Sequence, residues 1–272
     1  MAYLSHITYT MLSTPRLYQK HAVDNILEHI RGDPDNASVG TIHMFCGSGK
    51  SKVMADSITI LNYKRSLVVV PSLALMDQYV DSYITNKAPD FCMRVCSSAD
   101  DIEDAAAETT NPDDITAFLN KNAPQTQTQI ICCTYKSLPT LMDNLGGADI
   151  GFACFDEGHR AMAANSRAAI FQHQNAAMIQ HKLFFTATPK NSGEYKMDNL
   201  CGPTLFKYSY FQGVKDGFIH PFELRVDLYA DDTTYSIYES IARAVLCTGN
   251  NRVLTFHADV HSGRDKSVTE FA

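Results

Sequence analysis

No apolar run in the 272 residues approaches the roughly 18 needed to cross a bilayer. The N-terminus, MAYLSHITYTMLSTPRLYQK, lacks the basic-then-apolar layout of a secretory leader. These two absences make an intracellular protein outside the membrane the expectation. Charge of one sign is also scarce: 23 Lys and Arg stand against 30 Asp and Glu, a formal net charge of −7. That excludes a uniformly basic nucleic-acid-binding coat but leaves room for a local basic groove, since distribution matters more than the sum. Metal-site spacing is missing too. The eight cysteines are scattered, with Cys92 and Cys96 four apart in CMRVC and Cys132–Cys133 inside an apolar run. No second ligand pair at C-x-x-C or H-x-x-H spacing accompanies them. Free, mostly buried thiols follow, because an unpaired cysteine behaves as a small hydrophobe.

What is present is ordinary in bulk and ordered in detail. Apolar residues make up 45% and charged residues 19%, enough for a sizeable core in a chain longer than one average domain. Short apolar runs alternate with helical patterns. VGTIHMF (39–45), SLVVVP (66–71), QIICCTY (129–135), GFACFDE (151–157) and KLFFTAT (182–188) are apolar on successive residues, as buried strands of a parallel sheet are. YQKHAVDNILEHIRG (18–32), GKSKVMADSITILNY (49–63) and LALMDQYVDSYITN (73–86) read as the intervening helices, the first stopping at Gly32. This alternation predicts an α/β sandwich with a mostly parallel central sheet.

Two stretches break the rhythm. Residues 97–129 hold seven acids and one base, Lys121, and read as a solvated surface connection. Inside it a short helix is signalled by Asn111 as N-cap, Pro112 at the first position, and Asp113 and Asp114 in the positively polarised first turn. In VKDGFIHPFELRV (214–226) a Gly and a Pro flank a short apolar piece, a hinge signal. Beyond it YSIYESIARAVLC reads as a helix and NRVLTFHADV as a buried strand. One helix and one strand do not complete a sheet.

Three short segments carry chemistry. MFCGSGKSKV (44–53) resembles the phosphate-loop pattern G-x-x-x-x-G-K-[ST], except that Met44 stands where the first glycine belongs. Gly47 and Gly49 would let backbone N–H groups approach phosphate oxygens, and the following helix would add its N-terminal dipole. Lys50 would reach the β- and γ-phosphates and the Ser51 hydroxyl would ligate Mg²⁺. The second segment, GFACFDEGH, delivers Asp156 and Glu157 at the carboxyl end of a strand, where ligands bind in open α/β sheets. Adjacent acids there are costly unless they ligate something. The third, FFTATPK, ends a buried strand with Thr186-Ala187-Thr188-Pro189 at the same kind of edge.

PRLYQ, CGSGKS, VVPSLALMDQ, TYKSL, DEGH and TATP occur in the order of the motifs of superfamily 2 helicases. The chain resembles the DEAD/DEAH-like subgroup that contains the motor subunits of type I restriction enzymes and related viral and phage helicases, over about residues 14–260. The resemblance implies a RecA-like P-loop fold, a three-layer α/β sandwich, over 1–213. It further implies a linker at 214–226 and a second RecA-like domain begun at 227–272 and truncated. ATP and Mg²⁺ are the implied cofactors. Nucleic acid, DNA in preference to RNA, is the implied partner.

Carried over by position, Gln19 would read the adenine edge with Arg16 nearby. Gly47, Ser48, Gly49, Lys50 and Ser51 would hold the triphosphate, with Met44 packed in the strand. Asp156 would join Ser51 on the metal, Glu157 would serve as catalytic base, and His159 would couple that site to Thr186 and Thr188. Pro71, Ser72, Thr134 and Tyr135 would lie at loops that touch the phosphate backbone of one nucleic-acid strand. The family's fourth motif falls near Phe256-His257, and no Q-x-x-G-R-x-x-R arginine pair follows Arg264. The 272-residue chain is therefore expected to bind Mg–ATP, to hydrolyse it slowly and not to unwind duplexes. Two other readings stay open: a non-enzymatic nucleotide- or nucleic-acid-binding module, and a P-loop NTPase of unrelated role.

Overall fold

The computed structural model describes residues 14–32, 38–84, 91–96, 108–121, 128–191, 195–221 and 246. The chain divides after Pro221 into two units, and the sheet belongs to the first. Residue 246 apart, the expected helix, strand and incomplete domain of 227–272 lie outside the described residues.

In chain order the elements are α1 (Leu17–Gly32), β1 (Ser38–Met44), α2 (Lys50–Leu61), β2 (Arg65–Val70), α3 (Leu73–Tyr83), β3 (Cys92–Val95), β4 (Glu108–Thr109), α4 (Pro112–Leu119), β5 (Gln129–Thr134), α5 (Leu138–Asp143), β6 (Ile150–Asp156), α6 (Ala164–Arg167), β7 (Ile179–Thr186), α7 (Met197–Leu200), β8 (Thr204–Tyr208) and α8 (Tyr210–Lys215). The strands form one sheet in the order β4-β3-β5-β2-β6-β7-β1-β8. Every pairing is parallel. This is the RecA-like α/β sandwich that the alternation and the motifs predict.

Parallel strands need crossovers on the sheet faces, so both faces are covered and successive side chains face different cores. Phe184 and Phe185 in β7 illustrate the division. Phe185 joins Ile26, Ile30, Met54, Ile58 and Met76 under α1, α2 and α3. Phe184 joins Ile115, Phe118, Leu141, Phe155 and Ile170 on the opposite face. Phe184 stacks on Phe155 with ring centroids 4.7 Å apart. Among the described residues the cysteines are free thiols, and Cys96, Cys132, Cys133, Cys154 and Cys201 are buried in these layers. No helix among the described residues is long and apolar enough to cross a membrane.

Three strands escape the sequence pattern. β3, β4 and β8 have four, two and five residues, and in β8 only Tyr208 is buried, with Leu205 and Phe206 half-buried and Thr204 and Lys207 exposed. The acidic stretch also needs correcting, because part of it is more than a solvated connection. Glu108–Thr109 pairs with β3, and α4 buries Ile115, Phe118 and Leu119 against the sheet. Residues 97–107 and 122–127 of that stretch lie outside the described residues. The start of α4 is as expected: Asn111 accepts from the Asp113 N–H at 3.0 Å, and Pro112 follows it. Residues 214–221, expected as linker, complete α8 and continue past it. The Phe218 N–H donates to the Gly213 carbonyl, and the Phe218 ring lies 5.3 Å from that of Tyr18.

Because α4 is held by its cap at one end and its apolar face at the other, the two contributions separate experimentally. Asn111→Ala is expected to cost about 1 kcal/mol. Ile115→Ala is expected to cost about 2–5 kcal/mol. Urea denaturation of the two variants checks both values.

Candidate nucleotide site

β1, β7 and β6 are neighbours, and being parallel they end on one edge. Met44, Thr186 and Asp156 are their last residues. Met44 is 1% exposed and packs in the core, so its replacement of a glycine leaves the loop after it intact. Gly47 has φ 78° and open space where a Cβ would sit. Gly49 caps α2 at φ 83°, ψ 41°, with no side-chain hydrogen bond to the helix end. The first-turn N–H groups of α2, those of Lys50 and Ser51 among them, therefore have no capping side chain, and a helix start of this kind favours an anion. Ser48 is buried and its hydroxyl bonds the Phe45 carbonyl, which closes the turn.

The backbone of this loop is held from α1. The Tyr18 hydroxyl donates to the Ser48 carbonyl at 2.8 Å, and Gln19 Nε2 donates to the same oxygen at 3.0 Å. Gln19 Oε1 accepts from the Arg16 N–H at 2.9 Å. Both ends of the Gln19 carboxamide are thus engaged within the protein, and the side chain is buried. A Cβ on Gly49 would lie 2.3 Å from Gln19 Nε2, so any other residue there would displace that amide as well as strain the φ of 83°. The Arg16 side chain donates to the Tyr18 hydroxyl at 3.1 Å and lies 5.2 Å above the Phe218 ring.

Across the edge, Asp156 and Glu157 follow β6. Burial raises the Asp156 carboxyl above its ordinary value, the Lys50 ammonium and the Glu157 N–H pull it down, and the Glu157 carboxylate pushes it up. Lys50 is thus close enough for its charge to act on Asp156. Asp156 Oδ1 is buried and has no hydrogen-bond partner within the protein. Beside it a cavity of about 70 Å³ is lined by Ser51, Asp156, Gln78 and Tyr79. Glu157 adopts φ 47°, ψ 51°, a left-handed conformation that costs a non-glycine residue about 1–3 kcal/mol.

His159 joins this acid to β7. Its Nδ1 lies 3.3 Å from Glu157 Oε2 and 3.2 Å from Thr186 Oγ1. Burial lowers the His159 pKa, so the ring is neutral at neutral pH, and only the Nδ1–H tautomer can face the Glu157 carboxylate favourably. Thr186 Oγ1 also accepts from the Thr188 N–H at 3.1 Å, while Thr188 itself is exposed.

The remaining predicted residues end β2 and β5 on the same edge. Pro71 follows Val70, and the exposed Ser72 caps α3 through the Leu75 N–H at 3.4 Å. Thr134 is buried, its hydroxyl 3.2 Å from that of Ser137. Tyr135 turns its side chain inward from the same loop. The ring is 9% exposed and its hydroxyl donates to the Asp156 carbonyl at 2.8 Å. The exposed basic side chain at this turn is Lys136, which motif reading passed over although TYKSL contains it.

The family described as "Type III restriction enzyme, res subunit" matches residues 12–191. The chain belongs to this family. Among similar curated proteins are the probable helicase A859L of African swine fever virus, isolate Tick/Malawi/Lil 20-1/1983, and that of isolate Tick/South Africa/Pretoriuskop Pr4/1996. The first is 27% identical over 218 residues and the second 28% over 222. Each alignment covers 78% of this chain and 24% of the relative, so the chain spans about a quarter of the length of the proteins it matches. Among solved structures, a nuclease-deletion mutant of the Type ISP restriction-modification enzyme LlaGI, in complex with a DNA substrate mimic, aligns at TM-score 0.62. It is 22% identical and the match covers 76% of this chain and 21% of that one. The Type ISP enzyme LlaBIII bound to DNA aligns at 0.58 and 20% identity, covering 75% of this chain and 16% of that one. These likenesses show the fold. Together with the family they make the described unit a RecA-like domain of the superfamily 2 DEAD/DEAH-like group.

In this res-subunit domain the residues present fit a magnesium-bound triphosphate. The orphaned Asp156 Oδ1 lacks the partner that a buried carboxylate oxygen needs. The cavity beside it offers oxygen donors, and hard divalent cations prefer oxygen. The open backbone at Gly47 and the uncapped start of α2 supply the anion side.

The Asp156 carboxyl has a consequence for stability. Its pKa is higher in the fold than in the unfolded chain, so its favourable contribution exists below the unfolded value, near 3.9, and is lost as pH rises through the folded one. At neutral pH the ionised group weighs against folding. Asp156→Asn is therefore expected to raise the Tm of the ligand-free chain at pH 7, with the gap closing toward pH 4. The same variant should abolish Mg²⁺-dependent stabilisation by nucleotide. Thermal denaturation across that pH range, with and without Mg–ATP, checks both outcomes.

Proposed function

We propose that this chain is the ATP- and Mg²⁺-binding motor domain of a nucleic-acid-dependent helicase or translocase. The observation that carries this reading is the meeting of the phosphate loop and the acid pair at the ends of β1 and β6, the two strands that flank β7, with the Lys50 charge acting on Asp156. Lys50 pairs with the terminal phosphates, and backbone N–H groups of 47–51 cradle them. Ser51 Oγ and Asp156 would hold the metal. When bound, Mg²⁺ neutralises charge on the β- and γ-phosphate oxygens. Glu157 accepts the proton of the attacking water at its carboxylate, and His159 senses that acid through Nδ1 while touching Thr186.

Gln19 and Arg16 select adenine in this reading, which requires the Gln19 amide to give up one of its two internal bonds. Domain 1–213, a linker at 214–226 and a second domain begun in 227–272 are the proposed organisation. The second domain would bring arginines to the transferring phosphoryl group, a contribution worth about 10³–10⁵ in rate.

DNA is the proposed track. LlaGI and LlaBIII, whose folds this chain shares, are described with DNA. Ser72 and Lys136, exposed at the carboxyl ends of β2 and β5, give one strand's phosphates sequence-independent contacts.

At about a hundredfold excess over Kd, Mg–ATP should stabilise the chain by about 2.7 kcal/mol, a rise of about 5–10 °C in Tm. Lys50→Ala should show no such rise. Turnover by the 272-residue chain should stay slow with or without single-stranded DNA. Equal stabilisation of wild type and variant would contradict the reading of the site. Rapid DNA-stimulated turnover would contradict the need for further arginines.

A further inference from the structure

Tyr135 is bonded across three neighbouring strand ends. It follows β5, its N–H donates to the Val70 carbonyl at 3.3 Å, and its hydroxyl donates to the Asp156 carbonyl at 2.8 Å. In the sheet, β5, β2 and β6 lie side by side, so this one residue ties together the ends from which Pro71–Ser72, Lys136 and Glu157 emerge. The bond to Asp156 is placed where it has leverage. The carbonyl it holds belongs to the peptide group joining Asp156 to Glu157, and Glu157 is one of two non-glycine residues with positive φ among those described. Fixing the plane of that peptide restricts rotation about the Glu157 N–Cα bond, and hence the direction of its carboxylate. Burial pushes the Tyr135 phenol well above its ordinary value, so it remains a donor throughout the physiological range.

We infer that Tyr135 is a positioning residue that holds Glu157 in its left-handed conformation and transmits to it the seating of a nucleic-acid strand on the 71–72 and 134–137 turns. The inference rests on the proposed function, which places a strand on those turns and a nucleotide beside Glu157. No other described hydrogen bond links the TYKSL turn to the acid pair, and the His159–Thr186 contact leaves the site in the opposite direction, toward β7.

Tyr135→Phe keeps the ring and removes only the hydroxyl. The experiment measures affinity of the 272-residue chain for a non-hydrolysable Mg–ATP analogue and for single-stranded DNA, each with and without a saturating amount of the other. In the wild type each ligand should tighten the other by about fivefold or more, the lower end of usual coupling. In Tyr135→Phe each separate affinity should stay within about twofold of wild type while the coupling falls below about twofold, an outcome that a purely structural loss would not produce. Amide hydrogen exchange at Glu157 and Gly158 of the wild type gives a readout free of any variant, and DNA should change protection there. Coupling retained in Tyr135→Phe, or DNA binding that leaves exchange at Glu157–Gly158 unchanged, would overturn the inference and leave the proposed function standing. Failure of the wild-type chain to bind the analogue would instead sink the proposed function, and the inference with it.

Discussion

A carboxylate at the end of a buried strand is unstable unless a cation answers it, and the architecture of this domain follows from that demand at Asp156. Burial raises its pKa, Lys50 opposes the rise, and one oxygen is left without a protein partner. Satisfying it needs β6 and the loop after β1 to end on the same edge. Parallel pairing on both sides of β7 brings that about, and the pairing is parallel throughout the described strands. Parallel pairing in turn requires helices on both faces, and the two cores split by Phe184 and Phe185 are the result.

The loop is the less self-sufficient half of the site. Its glycines lower the steric cost of its backbone, and its shape is borrowed from α1, through Tyr18 and Gln19 on the Ser48 carbonyl. α1 is anchored on the far side by Tyr18 stacked flat on Tyr208 at 3.9 Å, and β8, where Tyr208 sits, pairs with β1. Within the aromatic run 208–211, Tyr208 belongs to β8 and packs on α1. The edge strand, the first helix and the phosphate loop thus form one mechanical unit, with Arg16 and Phe218 at its outer face. Phe211, 81% exposed, stands outside it.

Much of this was legible in the residues because the chemistry sits in short contiguous runs. GSGKS, DEGH and TATP each follow an apolar run long enough to read as a strand, and Asn111-Pro112-Asp113-Asp114 spells a helix start. What could not be read depends on contacts between runs. β3, β4 and β8 are too short or too mixed to show a period. Gln19 has the right residue type for a base edge, yet its neighbours in space, Ser48 and the Arg16 N–H, occupy both ends of its amide. Tyr135 and Lys136 are adjacent in sequence and have opposite fates. The side chain after β5 that turns inward finds the Asp156 carbonyl, and the next one meets solvent. No pattern within TYKSL distinguishes them.

A crystal structure of the chain with Mg²⁺ and a non-hydrolysable ATP analogue tests this spatial arrangement most directly. The account predicts the metal at about 2.0–2.1 Å from Ser51 Oγ. It also predicts Asp156 in the metal's shell and the Lys50 ammonium on the terminal phosphates. A nucleotide seated away from this strand edge, or a metal held without Ser51 and Asp156, would contradict it.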